Sequence, residues 1–360
     1  MKKKLISLLL ATTMTVSLFS GCGKSSDSED SSELGDEVNI LVWDGSYDEA
    51  LWKGFEKETG VHVNISYINN TDEILAKLLA SGGSSEYDFI DLESAYIKPF
   101  VENELLEELN WDNIPNDANT DSEVKAMPGD EKNKYTCSNG FKGYTTIMYN
   151  KETCPIEIKT FKDLADPALE GQVESVLSTI TLFGLALNGL GYEPDSTTES
   201  EYAEAAKLWK DIKKNVKLFS GSTYQALLDG EVSVAIGYDY PLLEATADDP
   251  EKYAVAEIEE GTESYSTAWA VPKGAEHKKE AEALMNYMLE PKQVASRFEF
   301  YPSWCYNDAG WKLVSDEVKS NPTYTSISEE WLDKSWMVPV SDEAIEYMDK
   351  YLTEFMSGNE

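Results

Sequence analysis

Aromatic residues stand beside acidic residues at several points where a buried strand is predicted to end. In the first case, the stretch 38–48 (VNILVWDGSYD), an apolar run long enough for a buried strand is followed by Trp43, Asp44 and Tyr47. An aromatic ring face attracts positive charge, and a carboxylate adds a charge-assisted hydrogen bond. This trio suits the binding of an organic cation. The alternative is that both rings simply close the top of the hydrophobic core.

The same pairing recurs near the ends of later predicted strands. The candidate ligand-binding residues are Trp43, Asp44, Tyr47, Glu93, Tyr238, Asp239, Tyr265 and Tyr301. Open α/β sheets bind ligands in the crevice beyond the carboxyl ends of their strands, so we expect these side chains to meet in one cleft. A single aromatic residue of this kind more often belongs to the core or its rim. Recurrence at separate strand ends favours a binding cleft.

Alternating strands and helices must position these side chains. Strands are predicted at 38–42, 61–68, 87–92, 144–150, 232–237 and 265–271, and helices at 46–59, 70–82, 97–109, 179–190, 199–215, 278–289, 293–298 and 342–355. Ser46 and Glu49 have the spacing of a capping box, which predicts the start of the first helix. This order is typical of a parallel α/β sheet with right-handed crossovers. A chain of 360 residues favours two domains.

The N-terminus has the features of an export signal. Three lysines precede an apolar run from Leu5 to about Phe19, and small residues then lead to Cys22, as in a secretory signal peptide. The ending LFSGC resembles a bacterial lipobox, with Phe19 where Leu is usual; the alternative is an ordinary signal peptide with a coincidental cysteine. We predict a signal peptide at 1–21 and a lipidated Cys22. The serine-rich, acidic segment up to residue 36 would be a flexible tether.

Export and lipidation together predict the location of the protein. It would be held by its lipid at the outer face of the cytoplasmic membrane, or in the periplasm if the organism has an outer membrane. The formal net charge of −37 is unfavourable for binding nucleic acid or anionic lipid heads, which require basic patches. Arg297 is the only arginine, and arginine is the preferred partner of carboxylates and phosphates, so a dedicated anion receptor is not expected.

Signatures of catalysis are scarce. His62 and His277 lack triad companions at a recognisable spacing, and the chain has no GxGxxG, Walker or GxSxG motif. The spacing of Cys137, Cys154 and Cys305 matches no zinc site, so we predict no metal and no cofactor. Whether Cys137 and Cys154 pair is left open. We predict a binding protein; the alternative is a secreted hydrolase that uses a carboxylate pair among the 67 acids.

From Val38 onward, the chain resembles the extracellular solute-binding proteins of ABC transporters, in the branch of the spermidine/putrescine-binding proteins. The resemblance lies in VNILVWDGSY, GFEKETGVHVNISY, LLASGGSSEYDFIDLESAY, GYTTIMYNKE, TFKDLADPALEGQV, LNGLGYE, LLDGEVSVAIGYDY, TAWAVPKGAEHKKEAEALMNYML and FYPS. It implies a two-lobed, periplasmic-binding-protein-like α/β fold with a ligand cleft between the lobes. It also implies that a monomer delivers a small cationic solute, first of all a polyamine, to an ABC permease. The alternative ligand is a betaine-like compound or a sugar.

The resemblance also implies where the lobes divide and which residues bind. With crossings near 143–144 and between 258 and 264, lobe one would comprise 37–143 and 265–320, and lobe two 144–258 and 321–360. Trp43 and Tyr47 match the first-strand aromatic residues that sandwich the polyamine. Tyr238 and Tyr265 stand where Trp is usual, and Tyr301 matches the Tyr that precedes Pro and Ser or Thr.

Three positions depart from the family pattern. Ser178, Thr181 and Thr267 stand where the family has the acids that bind the amino groups. A buried ammonium group without a partner is costly. Either other acids take the place of the family acids missing at these three positions, or the ligand is not a polyamine. The replacement acids would be Asp44, Glu93 and Asp239.

Overall fold

The computed structural model describes residues 34–68, 71–82, 85–220, 224–239, 249–321, 327–337 and 340–357. The predicted signal peptide, Cys22 and most of the predicted tether lie outside these residues, as does Asn70 at the predicted start of the second helix. No helix within the described ranges is long and apolar enough to cross a membrane.

The first of two β-sheets holds the N-terminal strands. It contains β1 (Glu37–Trp43), β2 (His62–Ile68), β3 (Phe89–Glu93), β4 (Thr136–Ser138) and β11 (Thr267–Ala270). Their order across the sheet is β2-β1-β3-β11-β4. The first three strands run parallel, whereas β11 is antiparallel to both of its neighbours. Val38, Ile40 and Val42 of β1 are fully buried, which accounts for the apolar run in the sequence.

The second sheet is built around one long strand. It contains β5 (Phe141–Asn150), β6 (Val173–Val176), β7 (Val216–Ser220), β8 (Val234–Tyr238) and β10 (Ser264–Tyr265), in the order β10-β5-β8-β6-β7. Two further strands, β9 (Tyr253–Val255) and β12 (Trp304–Cys305), also pair with β5. The strands β6, β7 and β8 are parallel, whereas β5 is antiparallel to each of its partners.

Helices cover both sheets. The described helices are α1 (Glu49–Thr59), α2 (Thr71–Ala80), α3 (Ile97–Glu102), α4 (Thr179–Leu190), α5 (Glu199–Ile212), α6 (Gln225–Leu228), α7 (Lys278–Met288), α8 (Pro291–Phe300), α9 (Asp308–Trp311), α10 (Asp316–Lys319), α11 (Glu329–Leu332) and α12 (Asp342–Ser357). Trp52 and Phe55 of α1 pack with Tyr287 of α7 in the core of the first sheet. In the core of the second sheet, Trp209 of α5 stacks on Phe355 of α12 at 6.1 Å.

The start of α1 differs from the prediction. Its N-cap is Asp48, whose side chain accepts a hydrogen bond from the Ala50 N–H at 2.8 Å, so the predicted capping box of Ser46 is wrong. Gly45 adopts a φ of +75°, which turns the chain after β1 and keeps Ser46 in that turn. The helix can therefore begin only after the turn is complete.

Other differences arise where tertiary contacts override local pattern. The predicted helix at 97–109 ends at Glu102, because the Asn103 side chain donates to the Pro99 carbonyl at 2.9 Å and Glu104 adopts a φ of +54°. The predicted parallel sheets are mixed, since β5 and β11 return antiparallel. The predicted strand 265–271 is divided at Ser266, where the chain passes from the second sheet to the first.

Candidate functional site

Two connections between the sheets lie side by side. The chain leaves the first sheet at Asn139 and returns to it at Ser266. The Ser266 hydroxyl donates to the Phe141 carbonyl at 2.7 Å, and the Ser94 N–H donates to the Ser266 carbonyl at 2.9 Å. These bonds join the end of β3 to both connections, so the carboxyl ends of strands from both sheets face one another.

A cavity of about 220 Å³ lies between these strand ends. It is lined by Trp43, Asp44, Ser46, Tyr47, Asp91, Glu93, Phe141, Tyr238, Tyr265, Thr267, Arg297 and Tyr301. One wall comes from β3, β11 and β1 with the turn after it, and the facing wall comes from β5, β8 and β10. The remainder comes from α8 and the residue after it. A larger hollow of about 500 Å³ beside α2 is lined only by residues between 41 and 87, so it does not join the sheets.

Seven of the eight residues predicted from the sequence line this cavity, and the eighth lies behind it. Asp44 is exposed at the mouth, whereas Glu93 is half-buried. Asp239 is buried behind Tyr265, whose hydroxyl donates to its Oδ1 at 2.5 Å. The neighbouring Tyr240 lies outside the described residues. That these residues bind the ligand stays a prediction.

Tyrosine rings form the wall contributed by the second sheet. The rings of Tyr238 and Tyr265 meet edge to face at 5.0 Å, and Tyr265 meets Phe141 at 6.1 Å. Burial raises the pKa of Tyr238, as do the charges of Glu93 and Glu263. Tyr265 lies flat on β5 because Gly143, its partner in the strand pairing, has no side chain.

Asp91 is an acidic residue of the cavity that the sequence did not reveal. It lies inside β3 and is only 1% exposed. The Tyr47 hydroxyl donates to its Oδ2 at 2.5 Å, and the Trp269 Nε1–H donates to the Tyr47 oxygen at 3.0 Å. Burial raises the pKa of Asp91 to about 6, although the hydroxyls of Tyr47 and Thr267 and the charge of Arg297 act in the opposite direction.

Arg297 is the other charged lining residue that was missed. Its guanidinium lies over the Phe141 ring at 4.8 Å from the ring centre, and its terminal nitrogen donates to the Asn139 carbonyl at 2.9 Å. The sequence showed a single arginine, which argued against an anion site, but not that this arginine would face the cavity. An acid between the apolar residues Ile90 and Leu92 and a lone arginine were the available signals.

Glu263 lies behind Tyr238 and completes the buried acids of the region. Its Oε2 accepts a hydrogen bond from the Thr145 hydroxyl at 2.7 Å, and burial raises its pKa. The Thr181 hydroxyl also stabilises this carboxylate. Ser178 caps α4 by accepting a hydrogen bond from the Thr181 N–H at 3.4 Å. Thr181 therefore contacts an acid from another segment, whereas Ser178 caps the helix.

Nothing in the described ranges indicates a metal centre or a disulfide. They contain no group of three or more His, Cys, Asp or Glu side chains that could hold a metal ion. Cys137, Cys154 and Cys305 are free thiols in the structure, so the pairing of Cys137 with Cys154 that was left open is not formed. The arrangement of ring faces, hydroxyls and carboxylates around the cavity is suited to holding a small polar molecule.

Comparisons with known proteins identify relatives over most of the chain. The family model for bacterial extracellular solute-binding proteins matches residues 50–326. A spermidine/putrescine-binding periplasmic protein of Haemophilus influenzae is 24% identical over 99% of both chains. The putrescine-binding periplasmic protein PotF of Escherichia coli is 27% identical over 79% of this chain and 82% of its own.

Solved structures show the same fold. The TpPotD lipoprotein of Treponema pallidum superimposes with a TM-score of 0.78 at 23% identity, covering 89% of this chain and 99% of its own. The PotD substrate-binding protein of Streptococcus pneumoniae gives a TM-score of 0.76 at 18% identity, covering 90% of this chain and 99% of its own. The expected two-lobed, periplasmic-binding-protein-like fold is thereby confirmed.

Proposed function

The chain belongs to the bacterial extracellular solute-binding proteins, a family of binding proteins rather than enzymes, and from this premise we propose that it captures a small organic cation for an ABC importer. The observation that carries the proposal is the cavity between the two sheets, in which Trp43, Tyr47, Tyr238 and Tyr265 lie beside the buried Asp91 and the half-buried Glu93. Ring faces and carboxylates together stabilise a desolvated cation. Polyamines are the first candidates, because the similar proteins are named for spermidine and putrescine.

The proposed mechanism is closure of two lobes on one ligand. Lobe one would comprise 37–143 and 265–320, and lobe two 144–258 and 321–360. Lining residues come from both: Trp43 and Asp91 precede the first crossing, and Tyr238 follows it. A ligand that contacts both walls favours the closed arrangement by its differential affinity. The closed monomer would then present the solute to the permease.

The N-terminal segment would keep the protein close to that permease. We propose cleavage of a signal peptide at 1–21, lipidation of Cys22 and a tether up to residue 36 that leaves the lobes free to turn. The sequence features that support this are the three lysines, the apolar run and the ending LFSGC. Two acyl chains on one cysteine are sufficient for stable anchoring.

Calorimetry with spermidine, putrescine, a betaine and a neutral sugar tests the proposed function. We expect binding of a cation at one site, and Trp43→Ala should weaken it by about tenfold or more, since a cation–π contact and its packing are lost. Trp111→Ala removes an indole that does not line the cavity and serves as the control. X-ray scattering should show compaction on binding. Binding of the sugar alone would contradict the cation proposal.

A further inference from the structure

The wall of the cavity contains one negative and one positive group that do not form an ion pair. Asp91 and Arg297 both line it. Arg297 is close enough to act on the pKa of Asp91, yet neither has an ion-pair partner within 4.0 Å among the residues that the structure describes. Both therefore retain charge that a ligand could neutralise.

One carboxylate oxygen of Asp91 accepts no hydrogen bond of good geometry from a described residue, although the Thr267 hydroxyl is near enough to lower the pKa of the carboxyl group. The Tyr47 hydroxyl, which accepts a hydrogen bond from Trp269, donates to Oδ2 of Asp91. The other oxygen, Oδ1, is buried and has no hydrogen-bond partner in the described part of the chain. A buried carboxylate oxygen without a donor is costly, and an ammonium group of the ligand would supply that donor. The hydrogen bonds to Oδ2 keep the carboxylate in a fixed orientation before the ligand arrives.

Arg297 presents unused donors. Its guanidinium is held by the rings of Phe141, Phe298 and Tyr47, at 4.8, 5.5 and 5.8 Å from the ring centres. Of its five N–H donors, one donates to the Asn139 carbonyl, and Nε is buried without a partner among the residues that the structure describes. A ligand carboxylate accepts two parallel hydrogen bonds from such a planar group.

The acidity of the whole chain makes the position of Arg297 informative about the ligand. The sequence has 67 acids and a formal net charge of −37, so partners for a lone guanidinium are plentiful, yet no acid among the described residues lies within ion-pair distance of Arg297. A ligand with cationic groups only would bring positive charge toward Arg297, and like charges repel at short range. A ligand with a carboxylate beside its ammonium group would instead satisfy both residues.

We propose that the ligand is a cationic amino acid, whose α-carboxylate binds Arg297 and whose α-ammonium group binds Asp91. The inference rests on the proposed function and narrows its ligand class. The second cationic group would extend across the rings of Tyr238 and Tyr265 toward Glu93, which lines the same cavity. Selectivity then comes from the carboxylate, which polyamines lack.

Ornithine and putrescine provide a sharp test, because they differ only by the α-carboxylate. The unmodified protein should bind ornithine about tenfold to a hundredfold more tightly than putrescine, as expected for charged hydrogen bonds. Lysine and cadaverine form a second matched pair. Arg297→Gln should remove the preference. Lys292→Gln removes a positive charge at an exposed position of the same helix, and this variant should retain the preference for ornithine.

Each outcome of this test is decisive. If putrescine binds as tightly as ornithine or more so, the amino-acid inference fails while the proposed cation receptor stands. If only a neutral sugar binds, the proposed function fails as well. Arg297→Lys keeps the charge but not the planar group and should give an intermediate preference. A variant of Arg297 that loses thermal stability but keeps the full preference would show a structural role only and overturn the inference.

Discussion

At the scale of single residues, Asp91 combines burial with a position on the cavity wall. Its pKa is raised from 3.8 to about 6, chiefly because burial disfavours the charged form. Between these two values the folded state binds the proton more tightly than the unfolded state does. The contribution of Asp91 to stability is therefore greatest below pH 4, falls as the pH rises and is lost above about pH 6.

Asp91→Asn tests this linkage. A shift of about 2 pKa units corresponds to about 3 kcal/mol. The free energy of unfolding of the unmodified protein, relative to the Asn variant, should therefore fall by about that amount between pH 4 and pH 7. Chemical denaturation at the two pH values measures it, with Asp44→Asn as the exposed control on the same cavity. If the difference in free energy of unfolding between the two proteins is the same at pH 4 and pH 7, the raised pKa of Asp91 is refuted.

At the scale of elements, the pairing of β10 with β5 places the aromatic wall. Tyr265 pairs with Gly143, and its ring occupies the space that a side chain at 143 would need. The Tyr265 hydroxyl then reaches Asp239, which follows β8. Three strands thus hold one ring in position.

Gly143→Ala should disturb this wall. An added Cβ would lie 2.3 Å from the Tyr265 ring, so the ring must move, and overpacking of this kind costs about 1–3 kcal/mol of stability. Ligand affinity should fall with the displacement of Tyr265. In a Tyr265→Ala background the same glycine change should cost little, and a double-mutant cycle by chemical denaturation measures the coupling. Equal costs in both backgrounds would contradict the clash.

At the scale of the whole molecule, the two sheets lie on either side of the cavity and touch through a few connections. The connection at Ser266 and the one after Asn139 lie together at the cavity. A third link is the backbone hydrogen bond from the N–H of Val340, whose side chain packs in the core of the second sheet, to the Ala95 carbonyl just after β3 at 2.9 Å. A molecule whose two sheets are joined by few connections and share one cavity is suited to closing its halves on a ligand.

The proposed anchor is tested on the full-length chain in its host. Cys22→Ala should move the protein from the membrane fraction to the medium or periplasm without changing its melting temperature, because the lipid would be its only membrane attachment. Cys154→Ser removes a different thiol and should leave the location unchanged. Sedimentation of the Cys22 variant with membranes would rule out lipid anchoring at this cysteine.

The sequence alone predicted the elements whose pattern is local. The apolar run of β1 and the helix at 179–190 appear in the structure with the same or nearly the same bounds. The sequence also predicted that aromatic and acidic residues at separate strand ends would meet, because strand ends of an open sheet share an edge. Short strands such as β6 and β7 were missed, since their few residues show no distinctive periodicity.

Tertiary structure alone decided which charges face the cavity. Asp91 lies in the interior of β3 between the apolar residues Ile90 and Leu92, and only the packing of Tyr47 and Trp269 around it shows that one oxygen is held and the other is not. Arg297 lies about 200 residues along the chain from Asp91, on a helix that packs on Phe141 at the start of β5. Local sequence carries no information about such a distant approach, because it is set by how the helix and both sheets pack together.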